Sequence, residues 1–363
     1  MTHRIINFNA GPSALPLSVL EKIQAELLNY DGTGMSVMEI SHRSKQFDAI
    51  LADAQALIRK HFNIGEEYHV LFMGGGASLQ FAMIALNFLG KGRTADYINT
   101  GTWSTKAIKE AQIVGTINVA GSSEPDKFTR IPKQKELKLS GNAAFVHLTS
   151  NNTIAGTQWQ TLPDTGKVPM IVDMSSDILS RQVDISKVGM IYAGAQKNLG
   201  PSGVTCVLLR QDMMDKIDDG HLSTMLKYRT YVEKNSLYNT PPAFAIYVLK
   251  KVMEWIDEQG GIKVVEKNNC KKAELLYGFM DDSGEYYRGT TEKESRSKMN
   301  VTLRLPNEEL EQKLIKEGLA AGFGGLKGHR SVGGIRVSMY NAITVEMIEK
   351  LVDFLKKFKA ANA

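Results

Sequence analysis

Two cysteines in 363 residues, Cys206 and Cys270, are too few and too far apart for a disulfide framework or a zinc-type cluster. Cys206 sits inside an apolar run and reads as a buried thiol. No apolar stretch approaches the roughly 18 residues that a membrane span needs, and the opening "MTHRIINFNAGPSALP" lacks a basic segment followed by an apolar one. Charge of one sign is scarce as well. The 44 basic and 39 acidic residues are interspersed, leaving a formal charge of +5 with no long basic block and no basic–aromatic interleaving. That excludes an obvious nucleic-acid or membrane partner and leaves a mild basic excess suited to acidic small molecules. Neither GxGxxG nor GxxxxGK[ST] occurs where a nucleotide would need it. Repeats and low-complexity segments are absent. These absences point to a soluble, cytoplasmic protein of a reducing compartment, with no metal site.

What is present is alternation. With 43% hydrophobic residues the chain can bury a large core, and its length suggests two domains. "SVLEKIQAELLNY" and "QFDAILADAQALI" carry apolar residues at helical spacing, the second at Phe47, Ile50, Leu51, Ala54 and Ile58. "YHVLFMGGG" reads as a strand stopped by glycines, with "SLQFAMIALNFL" as the helix after it. Short apolar strands follow at "DYIN", "GTINVA", "AAFVHLTS", "PMIVDMSS", "GMIYAG" and "GVTCVLL". This rhythm predicts a largely parallel α/β sheet. Past Gly260 the pattern restarts as strand, helix, strand, helix from "KMNVTLRLP" to "TVEMIEKLVDFLKKF", a small α+β layer.

Several polar residues fall at the ends of these strands, where open α/β sheets bind ligands. Lys197, in "AGAQKNLGPSG", follows one strand. A lysine held there can lose its proton and attack a carbonyl, forming a Schiff base; read locally, it is a loop lysine reaching solvent. Asp173, 24 residues earlier in "IVDMSSD", can keep a pyridine nitrogen protonated, or can serve as a helix cap. The amides after "FMGGG", at Ala77 and Ser78, can hold a phosphate at a helix start, although a tight turn explains the glycines equally well. Trp103 in "NTGTWS" offers a stacking face or a core indole. Thr153 in "TSNNTIAGTQW" offers a hydroxyl to a phenolate, or to its own turn. Together these groups describe a pyridoxal phosphate site.

The stretches "FNAGPSALP", "GMSVMEISHRS", "GGGASLQF", "AGAQKNLGPSG", "YNTPPAFAIY" and "GGIRVSMYNA" cover essentially the whole chain. On them the sequence resembles the class V, fold type I pyridoxal phosphate-dependent aminotransferases, in the branch that acts on phosphorylated serine. The resemblance implies an α/β fold, with a large cofactor-binding domain over 16–260 built on a mainly parallel seven-stranded sheet. Residues 1–15 and 261–363 would form the small α+β domain. It implies that Lys197 carries the cofactor, Asp173 faces the ring nitrogen, Trp103 stacks on the ring and Thr153 bonds its 3-oxygen. Ala77, Ser78 and Gln196 would hold the cofactor phosphate, together with Asn239 and Thr240 from the neighbouring subunit of a twofold homodimer. Some relatives carry arginine where this chain has Ser78, a departure that alters local charge more than a backbone contact. Read locally, Thr240 is a helix cap.

The resemblance further assigns Arg336 to a substrate α-carboxylate, and His42, Arg43, His329 and Arg330 to a distal anion. A guanidinium fork suits both kinds of group. Without the resemblance, "GLKGHRSVGG" is a basic surface loop. The implied reaction is reversible amino transfer from L-glutamate to 3-phosphohydroxypyruvate, giving O-phospho-L-serine and 2-oxoglutarate in serine biosynthesis. A phosphorylated hydroxythreonine of vitamin B6 synthesis is a further substrate of such enzymes. The alternatives are another class V enzyme, such as a different aminotransferase or a desulfurase, and a non-catalytic anion-binding protein. A desulfurase needs a reactive cysteine on a mobile loop, which neither Cys206 nor Cys270 supplies.

Overall fold

Strands that are apolar on both faces must be covered on both faces, and the computed structural model, which describes residues 4–363, shows this arrangement. Seven strands, β1 (Tyr68–Met73), β2 (Thr94–Asn99), β3 (Thr116–Ser122), β4 (Val146–Thr149), β5 (Met170–Asp173), β6 (Val188–Gly194) and β7 (Thr205–Arg210), form one sheet. Their order is β1-β7-β6-β5-β4-β2-β3. All neighbours pair in parallel except β7, which runs antiparallel between β6 and β1. The exception has a simple cause. Only a short loop separates Gly194 from Thr205, too little for the crossover that a parallel strand requires.

Helices α1 (Leu17–Glu26), α2 (Lys45–Phe62), α3 (Gly76–Phe88), α4 (Thr102–Val114) and α5 (Ala243–Glu258) cover the sheet. In α2 the Ser44 hydroxyl accepts from Phe47 N at 3.3 Å, Asn63 ends the helix in the left-handed region, and the predicted apolar stripe is buried. One core lies between the sheet and α2 and α5, and a second under α3 and α4.

A third core belongs to the C-terminal part. There β8 (Arg288–Gly289), β9 (Asn300–Arg304) and β10 (Ile335–Ser338) form an antiparallel sheet in that order. Against it lie α6 (Ile262–Asp282), α7 (Glu308–Ala320) and α8 (Val345–Asn362). The N-terminal segment joins this layer: Ile6 pairs with Phe323, and Phe8 is wholly buried in its core. Residues 1–3 of the stretch expected here lie outside the described residues. The expected boundary at Gly260 cuts across packing, because Ile262 and Val265 of α6 are buried in the large core while Leu276 and Met280 belong to the small one. No helix among the described residues is long and apolar enough to cross a membrane.

Candidate active site

The C-terminal ends of β1, β2, β4, β5 and β6 point the same way, and each delivers one polar group. β1 stops at three glycines. Gly75 and Gly76 have φ of +85° and +66°, and a Cβ on Gly75 would fall 2.4 Å from Leu79 Cδ2. Only glycine permits that entry into α3. The helix therefore starts without a side-chain cap, and the amides of Gly76, Ala77 and Ser78 have no hydrogen bond among the described residues. After β2, Trp103 is the second residue of α4 rather than part of a loop. Its Nε1 is buried without a partner, and its ring faces the ammonium groups of Lys106 and Lys197, 4.7 and 5.4 Å from the ring centroid.

Lys197 follows β6. Ser13 fixes its backbone, donating from N to Gln196 O at 2.9 Å and from its hydroxyl to Lys197 O. The Lys197 amine donates to Thr153 Oγ1 at 2.7 Å, in the loop after β4. Desolvation drives its pKa down to about 8, with Arg336 acting in the same direction and Asp173 and Asp177 opposing. The neutral, nucleophilic form thus appears well below the ordinary lysine range. In cofactor-free protein, acylation of Lys197 should rise through about pH 8, ahead of the surface lysines, as peptide mass spectrometry across a pH series would read. A profile matching the surface lysines would contradict this.

Asp173 ends β5, in register with Thr149 and Tyr192 on the flanking strands. Its Oδ1 accepts from Ser175 N at 2.9 Å and Ser175 Oγ at 2.6 Å, closing a turn rather than capping a helix. Burial pushes its pKa up, while the Ser175 bonds and Lys197 oppose the shift. Asp173, Lys197, Trp103, Gln196, Ala77 and Ser78 line one cavity of about 120 Å³.

A larger cavity of about 610 Å³ borders Arg336 and His329. Arg336 lies in β10, paired with Thr302, and its Nη1 donates to Thr153 O at 3.3 Å. Its Nε is buried without a partner, burial lowers its pKa, and no carboxylate among the described residues pairs with it. His329 Nδ1 lies 2.7 Å from Ser331 Oγ. Desolvation lowers its pKa, and the charges of Arg336, Arg330 and Lys106 lower it further. Lys127, Arg304, His329 and Arg336 line this larger cavity against one carboxylate, Glu124.

The single chain does not gather every expected residue. His42 and Arg43 lie before α2, Arg330 is exposed, and Asn239 and Thr240 lie on an exposed loop; none lines either cavity. Thr240 is not a helix cap, since α5 begins at Ala243 with Pro242 in the capping position. Sequence reasoning also passed over Asp177, Ser150 and Gln158, a buried set behind Asp173 that only the fold assembles.

The Aminotransferase class-V family model matches residues 5–351. Phosphoserine aminotransferase of Desulfosudis oleivorans is 56% identical over 364 residues, covering all of both chains. The solved phosphoserine aminotransferase from Bacillus circulans subsp. alkalophilus superposes with a TM-score of 0.97 at 53% identity, covering 100% of each chain. The pyridoxal phosphate-bound phosphoserine aminotransferase from Trichomonas vaginalis gives 0.92 at 38% identity, covering 97% of this chain and 100% of that one. The chain belongs to the class-V aminotransferase family. It is a pyridoxal phosphate-dependent aminotransferase of fold type I. The residues present fit that cofactor. Uncommitted helix-start amides, an indole face, a buried carboxylate and an amine of lowered pKa surround one cavity.

Proposed function

We propose that this enzyme is a phosphoserine aminotransferase, exchanging the amino group of L-glutamate with 3-phosphohydroxypyruvate to give O-phospho-L-serine and 2-oxoglutarate, a step of serine biosynthesis. The observation that carries the reading is Arg336, a half-buried guanidinium whose Nε has no partner and which pairs with no carboxylate among the described residues, beside Lys197 and a largely cationic cavity. Both substrates bring an α-carboxylate and a second anion, which these cations can neutralise. The names of the relatives agree. A phosphorylated hydroxythreonine of vitamin B6 synthesis has the same anionic pattern, and assaying it alongside would define the range.

Bound pyridoxal phosphate supplies an aldehyde that condenses with amines and a ring that withdraws electrons. In this proposal the amides of Ala77 and Ser78, with Gln196, hold its phosphate. Trp103 covers the ring face, Thr153 bonds the 3-oxygen, and Asp173 keeps the ring nitrogen protonated. Lys197 holds the cofactor covalently between turnovers. Once displaced, its amine would take the proton from the substrate Cα and deliver it to the carbon on the far side of the nitrogen being transferred. Arg336 orients the α-carboxylate, so that the proton in flight faces that amine. His329 and Arg330, with His42 and Arg43, receive the distal anion. Asn239 and Thr240 complete the phosphate site from the partner subunit of a homodimer. Residues 16–260 would then be the large cofactor-binding domain, and 1–15 with 261–363 the small one. The unbridged cysteines suit a cytoplasmic enzyme.

A desulfurase reading finds no support in the geometry. Burial pushes the Cys206 thiol up to about 12, and Cys270 sits on α6; neither lines the cavities.

Arg336→Lys should weaken both half-reactions by about 2 kcal/mol, roughly 30-fold in kcat/KM, because a point charge replaces a bidentate fork. In the same assay series, Arg43→Ala and Arg330→Ala should lower turnover of glutamate and phosphoserine more than that of alanine, which has no distal anion. Equal losses on alanine would remove the distal role. The defining test of function is to add glutamate, then 3-phosphohydroxypyruvate, and watch the visible cofactor band disappear and return.

A further inference from the structure

Gln196, Lys197 and Asn198 follow β6, and the first two line the small cavity. Asn198 lines neither site cavity and is buried. Its amide has one workable orientation. Oδ1 accepts from the backbone N–H of Asn341 at 3.0 Å, and Nδ2 donates to the carbonyl of Ile178 at 3.2 Å. Turning the amide over would set oxygen against that carbonyl and nitrogen against that N–H. Two more buried asparagines extend the pattern. Asn341 Nδ2 donates to Leu179 O at 2.9 Å, which leaves its Oδ1 to accept from Asn269 Nδ2 at 2.9 Å. Asn269 Nδ2 also donates to Ser180 O at 2.8 Å.

Three successive carbonyls, of Ile178, Leu179 and Ser180, thus accept from asparagines on three different elements: the turn after β6, the segment just past β10, and α6. Leu179 has φ of +54°, a left-handed conformation that a leucine keeps where its surroundings fix it. The chain leaving β10 is gripped from two sides. Lys272 Nζ of α6 donates to Met339 O and Tyr340 O, and Asn198 takes Asn341 N. The lysine turn is itself firm, because Leu199 N and Gly200 N donate to Ala195 O at 3.1 and 2.9 Å. Arg336 sits on β10, and among the described residues its guanidinium makes one hydrogen bond, to Thr153 O at 3.3 Å. Its placement against Lys197 therefore depends on how the strand end is anchored.

We propose that Asn198 is a positioning residue that ties the exit of β10 to the turn carrying Lys197, and so sets the separation between the Arg336 fork and the Lys197 amine. The inference rests on the roles of Arg336 and Lys197 proposed above. A substrate held by its α-carboxylate on Arg336 must present Cα to that amine, and a slack strand end costs alignment.

Hydrogen exchange, with and without pyridoxal phosphate, should show the peptide containing Asn341 exchanging faster in Asn198→Ala, because its N–H loses an acceptor. Single-turnover loss of the visible cofactor band at saturating glutamate should slow about tenfold in the same variant. In an Arg336→Lys background the substitution should cost about twofold or less, since both changes spoil one alignment. Asn269→Ala removes the donors to Ser180 O and Asn341 Oδ1 away from the site. It should give a smaller loss that likewise shrinks beside Arg336→Lys, which keeps the test open if Asn198→Ala folds poorly. Unchanged exchange at Asn341, no loss of rate, or an equal fold loss in both backgrounds overturns the role of Asn198 alone. An Arg336→Lys enzyme as fast as the wild type instead overturns the assignment of Arg336, and with it this inference.

Discussion

Lys197→Ala is expected to lower turnover by roughly a thousandfold or more, since in the proposed function one amine would serve as both covalent anchor and proton carrier. The variant should still fold. Burying this ammonium, whose pKa falls to about 8, opposes folding at neutral pH, so its removal takes away a penalty along with the single bond to Thr153. The backbone there is held by Ser13 and does not depend on the side chain. Borohydride reduction of the wild-type holoenzyme should fix the cofactor on the peptide containing Lys197. The decisive alternative is Lys272, whose burial drives its pKa down further, to about 7. Titration alone would select that lysine. Geometry selects the other, because Lys272 Nζ donates to Met339 O and Tyr340 O at 2.8 and 2.9 Å, and Lys272 lines neither site cavity. A label on Lys272 would overturn the assignment.

Those two lysines also show what a sequence discloses. Lys197 was legible because a glutamine, a lysine and an asparagine after an apolar strand break a pattern that packing explains elsewhere. Lys272 was not, and it hid a helix. In α6 the buried positions include Asn269 and Lys272 among Val265, Leu276 and Met280, so the apolar stripe is interrupted where tertiary partners satisfy the polar groups. Strand positions were read well, since their burial on both faces leaves continuous apolar runs. The reversed direction of β7 follows from loop length, not from composition. The site divides likewise. Single strand-end residues such as Asp173 were visible as candidates, but their roles came from resemblance to a family. The Asp177 set joins residues 150, 158 and 177, and no spacing rule links them.

The second large effect concerns residues that the single chain leaves outside its own site. Asn239 and Thr240 are exposed, and Asn239 Nδ2 donates only to Thr240 O within the loop, at 3.0 Å. Pro241 and Pro242 stiffen the approach to α5, so the loop is presented rather than folded back. The stretch leading to His42 is also open, with Met35 and Met38 exposed at 44% and 59%, a degree that suits apolar side chains covered by a partner. In a twofold dimer each subunit would lend this loop and borrow its neighbour's. Mixing a Lys197→Ala chain with a chain carrying Asn239→Ala and Thr240→Ala then gives an outcome no local role predicts. In the mixed dimer one site carries both defects and the other carries neither. Random exchange makes about half the dimers mixed, so two nearly inactive preparations should together recover about a quarter of wild-type activity. Mixed dimers verified by native mass spectrometry but lacking that activity would show that the loop serves its own chain.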